Sequence, residues 1–431
     1  MHGRDEEPGP LRSGRVRRFG RRLHRTGGPH PGPHCAPHAV RRRPRCADAG
    51  PCLSDRHDLR AIGERAESQP GRVHQPDRSR GRRQRPAPGH ARIGGDMSAT
   101  PLDPDAAAGG AHEPPPPRRL VVSAGQLGPI RRDEPRESVV NRLIHLLEQA
   151  HSEGAELIAF PELALTTFFP RWYVEGDPEL DLDSFYETEM PGPETKRLFA
   201  RAAELGVGFC LGYAELTPDG RRFNTQILVE RDGSIVGSYH KVHLPGHREH
   251  EPWREFQHLE RRYFEPGDSF DTWNAFGGVV GMATCNDRRW PETYRVLALN
   301  GAELILIGYN TPKHYAPDPS QDPLQGFHNR LVMQAGAYQN GCYVIGTAKG
   351  GDEEGVPSLA ESCIISPSGE IIVGCHTEAD EVVTAEIDLS LTTKYRETLF
   401  DFERYRRPET YGPITAQKGA TPPSSPEVSH G

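Results

Sequence analysis

Short apolar runs alternate with amphipathic stretches along the chain from Leu120 to Tyr411. Runs rich in Val, Ile and Leu that end at Gly, Pro or a polar residue predict buried strands, and apolar residues at every third or fourth position predict helices. The predicted strands are Leu120–Gln126, Leu157–Phe160, Val207–Glu215, Gly278–Ala283, Leu304–Gly308 and Cys342–Ala348. The predicted helices are Pro135–Ser152, Thr195–Leu205, Pro291–Asn300, Leu324–Asn340 and one more after Leu389. Strands that alternate with helices in this way favour an α/β layer architecture.

Two further segments, Asn224–Tyr239 and Glu361–His376, predict tight hairpins that turn at Asp-Gly and Ser-Gly. Each hairpin has an apolar stretch, a polar residue followed by Gly, and an Ile-rich stretch that ends in Gly, so one sheet-rich unit is predicted to occur twice. Two sheets that bury one face on each other, with helices over their outer faces, accommodate this order. We therefore predict an α/β fold of four layers, an α-β-β-α sandwich. A two-domain doubly wound arrangement is the alternative, although no Pro/Gly-rich linker interrupts Leu120–Tyr411.

The first 96 residues differ in composition from the rest of the chain. They contain 22 Arg, no Lys and ten acidic residues, a net charge of +12, so with −8 overall the remaining residues carry −20. This segment has no apolar pattern that would offset the entropy of ordering it. We predict that residues 1–118 form a disordered Arg/Pro/Gly-rich extension with Met97 as a candidate start, that residues 119–412 form one domain, and that residues 413–431 form a disordered tail. A disordered interaction arm is the alternative for the extension.

The acidic body of the chain argues against nucleic acid as a partner. No run approaches the ~18 apolar residues of a membrane span, and the Arg pairs near the N-terminus lack the apolar stretch of a twin-arginine signal. Eight Cys in 431 residues make no dense disulfide framework, so reduced thiols are expected. These features predict a cytoplasmic protein with no membrane partner.

Cys285 follows the predicted strand Gly278–Ala283 and precedes a helix that starts at Pro291. A strand-to-helix turn of this kind holds a nucleophile out of the sheet and places backbone N–H groups near a developing oxyanion. Arg288 and Arg289 follow, and their charges are expected to lower the pKa of the Cys285 thiol. The alternative is a buried structural cysteine, which we expect for the three cysteines flanked by apolar strand residues, Cys210, Cys342 and Cys363.

Glu162 and Lys241 also stand at the carboxyl ends of predicted strands. A thiol that attacks an amide needs a base and a charged group that stabilises the oxyanion, and apolar neighbours would raise the pKa of Glu162 toward working pH. Each residue alone has an ordinary interpretation, a loop carboxylate that caps the next segment and an edge-strand lysine that favours solubility. With Cys285 at a third strand end, the set predicts a cysteine-dependent amide hydrolase.

The segments around these three residues, Phe160–Leu163, His240–Leu244 and Thr284–Glu292, resemble the three motifs of the nitrilase superfamily. The last of them, together with Leu163–Pro170 and Tyr309–Pro312, resembles the branch of N-carbamoyl-D-amino acid amidohydrolases. The resemblance implies the nitrilase type of four-layer sandwich, a covalent thiol intermediate, no metal or other cofactor, and a homo-oligomer, either a dimer or a tetramer.

The same resemblance implies the residues of the site. Glu162, Lys241 and Cys285 would form the catalytic triad, and Glu260 would be a fourth catalytic residue near it. His243 would support the site, and for His258 we favour a substrate contact. Ordinary loop hydrogen bonding is the alternative for both histidines.

The charge of a small ureido acid indicates where the substrate is held. An N-carbamoyl amino acid presents a carboxylate close to its ureido carbonyl, and a guanidinium binds a carboxylate through two parallel hydrogen bonds. We expect Arg288 to hold this carboxylate with Arg289 beside it, because a helix N-terminus disfavours cations that are not needed. A structural pair of surface arginines is the alternative. Further substrate contacts are expected in the matching segments, at Asn286, Asn310 and Thr311.

The sequence therefore predicts hydrolysis of N-carbamoyl-D-amino acids to a D-amino acid, ammonia and carbon dioxide, and the D preference rests on the resemblance alone. A β-ureidopropionase or another nitrilase-type amidase is the alternative within the same class, and the arginine pair argues against simple amides. A non-catalytic scaffold that binds a partner through the Arg-rich extension is the alternative from another class. The intact Glu-Lys-Cys set argues against it.

Overall fold

Two six-stranded sheets and a two-stranded hairpin contain the strands of residues 116–175 and 181–422, the part of the chain that this computed structural model describes. The strands are β1 Arg119–Gln126, β2 Leu157–Ala159, β3 Gly208–Leu216, β4 Arg222–Val229, β5 Ile235–His240, β6 Thr272–Ala275, β7 Gly278–Thr284, β8 Leu304–Tyr309, β9 Tyr343–Ala348, β10 Gly350–Glu353, β11 Val356–Leu359, β12 Cys363–Ile365, β13 Ile371–Gly374 and β14 Glu381–Asp388. The α-helices are α1 Arg136–Ser152, α2 Lys196–Leu205, α3 Glu260–Tyr263, α4 Pro291–Leu299, α5 Gln325–Asn340, α6 Ser390–Glu397, α7 Phe402–Tyr405 and α8 Gly412–Ala416. Short 3₁₀ helices lie at Phe169–Arg171, Leu182–Phe185, Cys285–Arg289, Pro319–Leu324 and Pro408–Thr410.

The two large sheets repeat one topology. The first has the strand order β14-β1-β2-β3-β4-β5 and the second has the order β13-β12-β9-β8-β7-β6. Strands β1, β2 and β3 are parallel and are followed by antiparallel β4 and β5, and strands β7, β8, β9, β12 and β13 repeat this pattern. In each sheet one antiparallel strand, β14 or β6, lies beside the first strand of the unit. The predicted double use of a sheet-rich unit is confirmed.

Three hydrophobic cores separate four layers, and the alternation of side chains along the strands builds them. Between the sheets, Val122 and Leu157 of the first sheet belong to one core with Met282 and Leu306 of the second. Helices α1 and α2 cover the outer face of the first sheet, and α4 and α5 cover that of the second. Leu306 and Ile307, neighbours in β8, lie in different cores. The molecule is therefore the predicted α-β-β-α sandwich.

Every strand and long helix that the sequence predicts is present, with bounds that differ by one or two residues. Strands β6, β10, β11 and β14 have no counterpart among the predicted elements. Strand β10 has the sequence Gly-Gly-Asp-Glu and β11 contains a proline, so neither carries the β-branched pattern that marks a strand. β10 and β11 pair with each other as a short hairpin, and β14 pairs with β1, which is distant in the sequence.

The predicted C-terminal tail begins with ordered structure. Helix α8 crosses the predicted boundary at residue 413, and none of its residues is buried. The tail residues 423–431 and residues 1–115 of the predicted extension lie outside the described part of the chain. Within the described ranges, no helix combines the length and apolar character that crossing a bilayer requires.

Arg396 on α6 binds the last carbonyl of α5 and two carbonyls of the loop that follows α4. Its guanidinium group donates to the carbonyl oxygens of Asn340 at 3.1 Å, Gly301 at 3.4 Å and Ala302, and such cationic donors stabilise the unpaired carbonyls of helix ends. We expect Arg396→Ala to lower the free energy of unfolding by roughly 1.5–3 kcal/mol, measured by thermal and urea denaturation. Arg404→Ala, at an exposed side chain, should change it by less than about 0.5 kcal/mol. Equal losses in both variants would contradict this capping role.

Candidate active site

Glu162 lies at the interface between the two sheets, just after β2. It is fully buried, and its backbone passes between Gly212 of β3 and Gly308 of β8. A Cβ atom at Gly212 would come within 2.6 Å of the Pro161 carbonyl oxygen, and one at Gly308 would come within 2.7 Å of the Glu162 nitrogen. Glycine at both positions therefore lets the Glu162 backbone approach both sheets.

Lys241 connects Glu162 to a second carboxylate. Lys241 follows β5 and is fully buried, and its Nζ donates to Glu162 Oε1 at 2.7 Å and to Glu260 Oε2 at 2.5 Å. Glu260 is the first residue of α3 and is also fully buried, and its Oε1 lies 2.9 Å from His258 Nε2. Three of the four predicted catalytic residues thus form one hydrogen-bonded chain.

Burial and ion pairing act in opposite directions on this chain. Burial raises the pKa of Glu162, and the Lys241 ammonium offsets only part of the increase. Burial lowers the pKa of Lys241, but the two neighbouring carboxylates outweigh it and raise this pKa above its ordinary value. Burial raises the pKa of Glu260, but Lys241 and His258 outweigh it and hold this pKa below its ordinary value. The result is a lysine that stays charged beside a glutamate suited to accept a proton.

Cys285 sits on a sharp turn between β7 and the 3₁₀ helix Cys285–Arg289. Its φ of 47° lies in the left-handed region, which is uncommon for a residue with a Cβ atom and is often associated with functional turns. The Sγ atom lies 3.6 Å from the carbonyl oxygen of Asn310, and the backbone N–H of Asn310 donates to Glu162 Oε2 at 3.0 Å. The backbone of Asn310 therefore contacts both Cys285 and Glu162.

Arg288 lowers the pKa of Cys285 as expected, but the net shift of this pKa is upward, and Arg289 is not among its largest causes. Burial and the Glu162 carboxylate raise the pKa of this thiol, and Lys241 and Arg288 offset only part of the increase. A thiol whose pKa is raised needs a base before it can attack. Glu162 is the candidate for that base.

Asp287 joins the cysteine turn to the segment that follows Lys241. It is fully buried. Its Oδ1 accepts the backbone N–H of His243 at 2.8 Å and lies 2.8 Å from His243 Nδ1. Its Oδ2 accepts from the Tyr239 hydroxyl at 2.7 Å and from the Thr284 N–H at 3.0 Å. His243, which was predicted to support the site, therefore contacts Asp287. Asp287 itself lies inside the cysteine motif but is not among the predicted site residues.

Asn224 is a second residue of the site that is absent from the predicted set. It lies in β4, is fully buried, and donates from Nδ2 to Glu162 Oε1 at 2.8 Å. With Lys241 and the backbone N–H of Asn310, it gives the Glu162 carboxylate three donors. The only signal in the sequence is the polar run Asn224–Gln226 inside a strand that is otherwise largely apolar.

Arg288 is not placed to hold a substrate carboxylate, which corrects the prediction made from its position. Its side chain is 1% exposed, and it donates to the Cys285 carbonyl at 2.6 Å, to Thr311 Oγ1 at 2.7 Å and to Asn329 Oδ1 at 3.1 Å. Its guanidinium also stacks over the Tyr309 ring at 4.3 Å. These contacts attach the cysteine turn to the end of β8 and to α5, so Arg288 shapes the turn.

Arg289, the next residue, has an exposed side chain that makes no hydrogen bond to any described residue. Asn310 also keeps an available donor. Its Oδ1 accepts from the Ser358 hydroxyl at 3.2 Å, while its buried Nδ2 has no partner within the described ranges. Of the predicted substrate contacts, Arg289 and Asn310 therefore retain donors that a ligand can use.

Two other predicted contacts, Thr311 and Asn286, make hydrogen bonds within the protein. The Thr311 hydroxyl accepts the arginine hydrogen bond given above, and Asn286 donates from Nδ2 to the His243 carbonyl at 3.1 Å. His258 is half-buried and contacts Glu260 through Nε2, so its ring can still reach a ligand. In the described part of the chain, no cluster of three His, Cys, Asp or Glu side chains could hold a metal ion.

A four-layer sandwich with a buried Glu-Lys-Glu chain beside a cysteine on a left-handed turn defines the class of hydrolases that cleave C–N amide bonds. The family description "Carbon-nitrogen hydrolase" matches residues 121–397. The chain belongs to this family, which lies in the nitrilase superfamily.

Individual relatives agree with this assignment. Omega-amidase NIT2 of Xenopus tropicalis is 27% identical over 278 residues, which cover 63% of this chain and 90% of that protein. N-carbamoylputrescine amidase of Arabidopsis thaliana is 28% identical over 287 residues, which cover 64% and 89%. The crystal structure of a carbon-nitrogen hydrolase from Helicobacter pylori G27 superposes with a TM-score of 0.59 at 23% identity and covers 70% of this chain and 99% of that one. The solved structure supports the fold.

Proposed function

We propose that this protein hydrolyses N-carbamoyl-D-amino acids to a D-amino acid, ammonia and carbon dioxide. The observation that carries the proposal is the free guanidinium of Arg289, four residues after the buried Cys285. A ureido acid places its carboxylate a few bonds from the carbon that the thiol attacks, and a free guanidinium is the group best suited to bind that carboxylate. The D preference comes from the resemblance of the cysteine motif to the carbamoylase branch.

Of the two relatives described above, the N-carbamoylputrescine amidase supports ureido chemistry, and the charge of the substrate stays open. N-carbamoylputrescine, after which the Arabidopsis relative is named, carries the same ureido group but ends in an amine that is a cation at neutral pH. Arg289 would repel such a cation and attract a carboxylate. Charge therefore favours the acid over the amine.

In the proposed reaction, Glu162 takes the proton of Cys285 and the thiolate attacks the ureido carbon. Lys241 and a backbone N–H stabilise the oxyanion. Glu162 then gives its proton to one nitrogen as that C–N bond breaks, which leaves the acyl group on sulfur. A water molecule that Glu162 deprotonates hydrolyses this intermediate, which restores the thiol and releases a carbamic acid. The carbamic acid then breaks its remaining C–N bond to give carbon dioxide and the second amine. Lys241 stays charged throughout because two carboxylates face it.

Turnover of racemic N-carbamoyl amino acids tests the substrate and its handedness together. We expect release of ammonia and accumulation of the free D-amino acid. Chiral chromatography of the products identifies which enantiomer is released. Release of the L-amino acid would contradict the stereochemical assignment. Hydrolysis of simple amides or of N-carbamoyl amines, with no turnover of ureido acids, would instead favour another nitrilase-type amidase.

Arg289→Ala is expected to impair turnover of carbamoyl amino acids far more than that of an uncharged urea or amide. The loss of charge-assisted hydrogen bonds costs roughly 1.5–3 kcal/mol, which corresponds to about a ten- to 150-fold decrease in kcat/KM. Arg289→Lys should recover only part of the loss, because an ammonium cannot make the planar two-pronged contact. Steady-state kinetics with paired charged and neutral substrates measure the effect.

Arg288→Ala serves as the matched comparison, one residue earlier in the same turn. Because Arg288 bonds to Cys285, Thr311 and Asn329, its loss should disturb the cysteine turn and lower kcat/KM for charged and neutral substrates alike. A selective loss for charged substrates in Arg288→Ala, with none in Arg289→Ala, would assign the carboxylate to Arg288.

A further inference from the structure

Three buried ions lie outside the hydrogen-bonded chain of the candidate active site. Arg171, Lys349 and Glu353 are 4%, 1% and 1% exposed. Glu353 Oε1 accepts from Arg171 Nη2 at 2.8 Å and from the Phe168 N–H at 2.7 Å. Its Oε2 accepts from the Ile130 N–H at 3.0 Å and from Lys349 Nζ at 3.3 Å. One carboxylate thus binds two cations and two backbone N–H groups from separate segments.

Glu353 ends β10, so this cluster belongs to the hairpin β10–β11. Its contacts with Phe168 and Arg171 hold the segment that continues from Glu162. That segment has little regular secondary structure of its own. After Leu163, whose φ is 47°, it consists of turns and a single 3₁₀ helix as far as Arg171. The hairpin therefore supplies an anchor for the backbone on the carboxyl side of the proposed base.

The other strand of the hairpin contacts the opposite side of the site. The Ser358 hydroxyl donates to Asn310 Oδ1 at 3.2 Å, and the Leu359 N–H donates to the Thr311 carbonyl at 2.8 Å. Asn310 is the residue whose carbonyl faces Cys285 Sγ. Hairpin β10–β11 thus spans from the Glu162 segment to the segment that faces the cysteine.

The segment before Glu260 contacts the same two residues, Phe168 and Arg171, that Glu353 binds. The Arg171 carbonyl accepts the Gln257 N–H at 2.7 Å, and the Phe168 ring meets the His258 imidazole edge-on with 5.8 Å between their centroids. His258 in turn lies 2.9 Å from Glu260. Contacts that begin at Glu353 therefore reach the segments that carry Glu162 and Glu260, and Ser358 on the other strand of the hairpin reaches Asn310.

We propose that hairpin β10–β11 is a positioning element of the active site, acting through Glu353 on the Glu162 side and through Ser358 on the Asn310 side. Neither residue touches the reacting atoms. Burying three ions is costly and often adds little stability compared with an apolar core, whereas it can specify one arrangement of the chain. The inference depends on the carbon–nitrogen hydrolase class alone, so it holds for whichever amide or ureido substrate the enzyme accepts.

Glu353→Gln tests the proposal because the amide keeps the size of the side chain but presents an N–H group where two donors now converge. We expect kcat at 25 °C to fall about 10- to 100-fold, since displacements near 1 Å of catalytic groups have effects of this size, while KM changes by less than roughly threefold. Kinetics are measured with a ureido acid and with a simple amide, so rejection of the ureido acid by the wild type leaves this test intact. Circular dichroism and thermal denaturation establish that the variant is folded.

Two further variants separate positioning from stability. Glu354→Gln makes the same chemical change one residue later and should keep wild-type kcat. Among residues 116–175 and 181–422, the Glu354 carboxylate accepts a hydrogen bond only from the Arg132 N–H. Ser358→Ala removes one hydroxyl and should lower kcat severalfold without preventing folding. If Glu353→Gln does not fold, Ser358→Ala therefore tests the positioning role of the hairpin. Wild-type kcat in folded Glu353→Gln, or in Ser358→Ala, would overturn the proposal. Equal losses in Glu353→Gln and Glu354→Gln would overturn it as well.

Discussion

Cys285→Ala is expected to remove turnover while leaving the protein folded. The substitution deletes the proposed nucleophile, and losses on the order of 10⁴-fold or more are typical for such a change. Cys285→Ser is expected to be inactive as well, because the proton of a hydroxyl is far harder to remove than that of a thiol and Glu162 is too weak a base for it. Steady-state kinetics and circular dichroism of the purified variants measure both effects.

Two other buried cysteines are the controls for this prediction. Cys342 and Cys363 lie in the core between the second sheet and its covering helices. Cys342→Ala and Cys363→Ala should each lower the free energy of unfolding, by roughly 0.5–3 kcal/mol, and should keep kcat. Turnover that survives in Cys285→Ala would refute the assignment of the nucleophile, as would inactivation by either control substitution.

Glu162→Gln is expected to lower kcat/KM by about 10²- to 10⁴-fold, the usual contribution of a positioned acid–base group. The amide keeps the shape of the side chain but cannot take the thiol proton. Because burial raises the pKa of Glu162 above its ordinary 4.5, the carboxylate is lost as the pH falls through this raised value. The acid limb of the wild-type pH profile should therefore lie above pH 4.5 and should be absent from the residual activity of the variant.

Glu187 is the matched control, a buried glutamate outside the site. It is 8% exposed and lies 2.7 Å from the guanidinium of Arg136, and burial raises its pKa as well. Glu187→Gln should lower thermal stability and leave both kcat and the acid limb unchanged. A pH profile that is identical in the wild type and in Glu162→Gln would show that another group accepts the proton.

The strand ends that carry Glu162, Lys241 and Cys285 could be predicted because each follows an apolar run that a buried sheet requires. The roles of Arg288 and Arg289 could not be separated in this way. They are neighbours on a 3₁₀ turn that begins at a left-handed residue, so their side chains leave the backbone in different directions. Which of them turns inward depends on Thr311 and Asn329, 23 and 41 residues later in the chain.

Contacts of this long range also explain the other omissions. Asn224 reaches Glu162 across 62 positions, and Glu353 reaches Phe168 across 185, so no local pattern marks either residue. The direction of the Cys285 pKa shift is set mainly by burial. The adjacent arginines in the sequence suggest the opposite direction. The homo-oligomeric state and the cytoplasmic location stay predictions.

The repeated topology has a consequence for when the enzyme becomes active. Glu162 and Lys241 follow strands of the first sheet, and Cys285 and Asn310 follow strands of the second. Neither half of the chain contains all four of these residues. They come together only when the two sheets have packed against each other. We therefore expect a chain with one half still unfolded to be inactive. Hydrolytic activity in this architecture reports that the whole sandwich has been assembled.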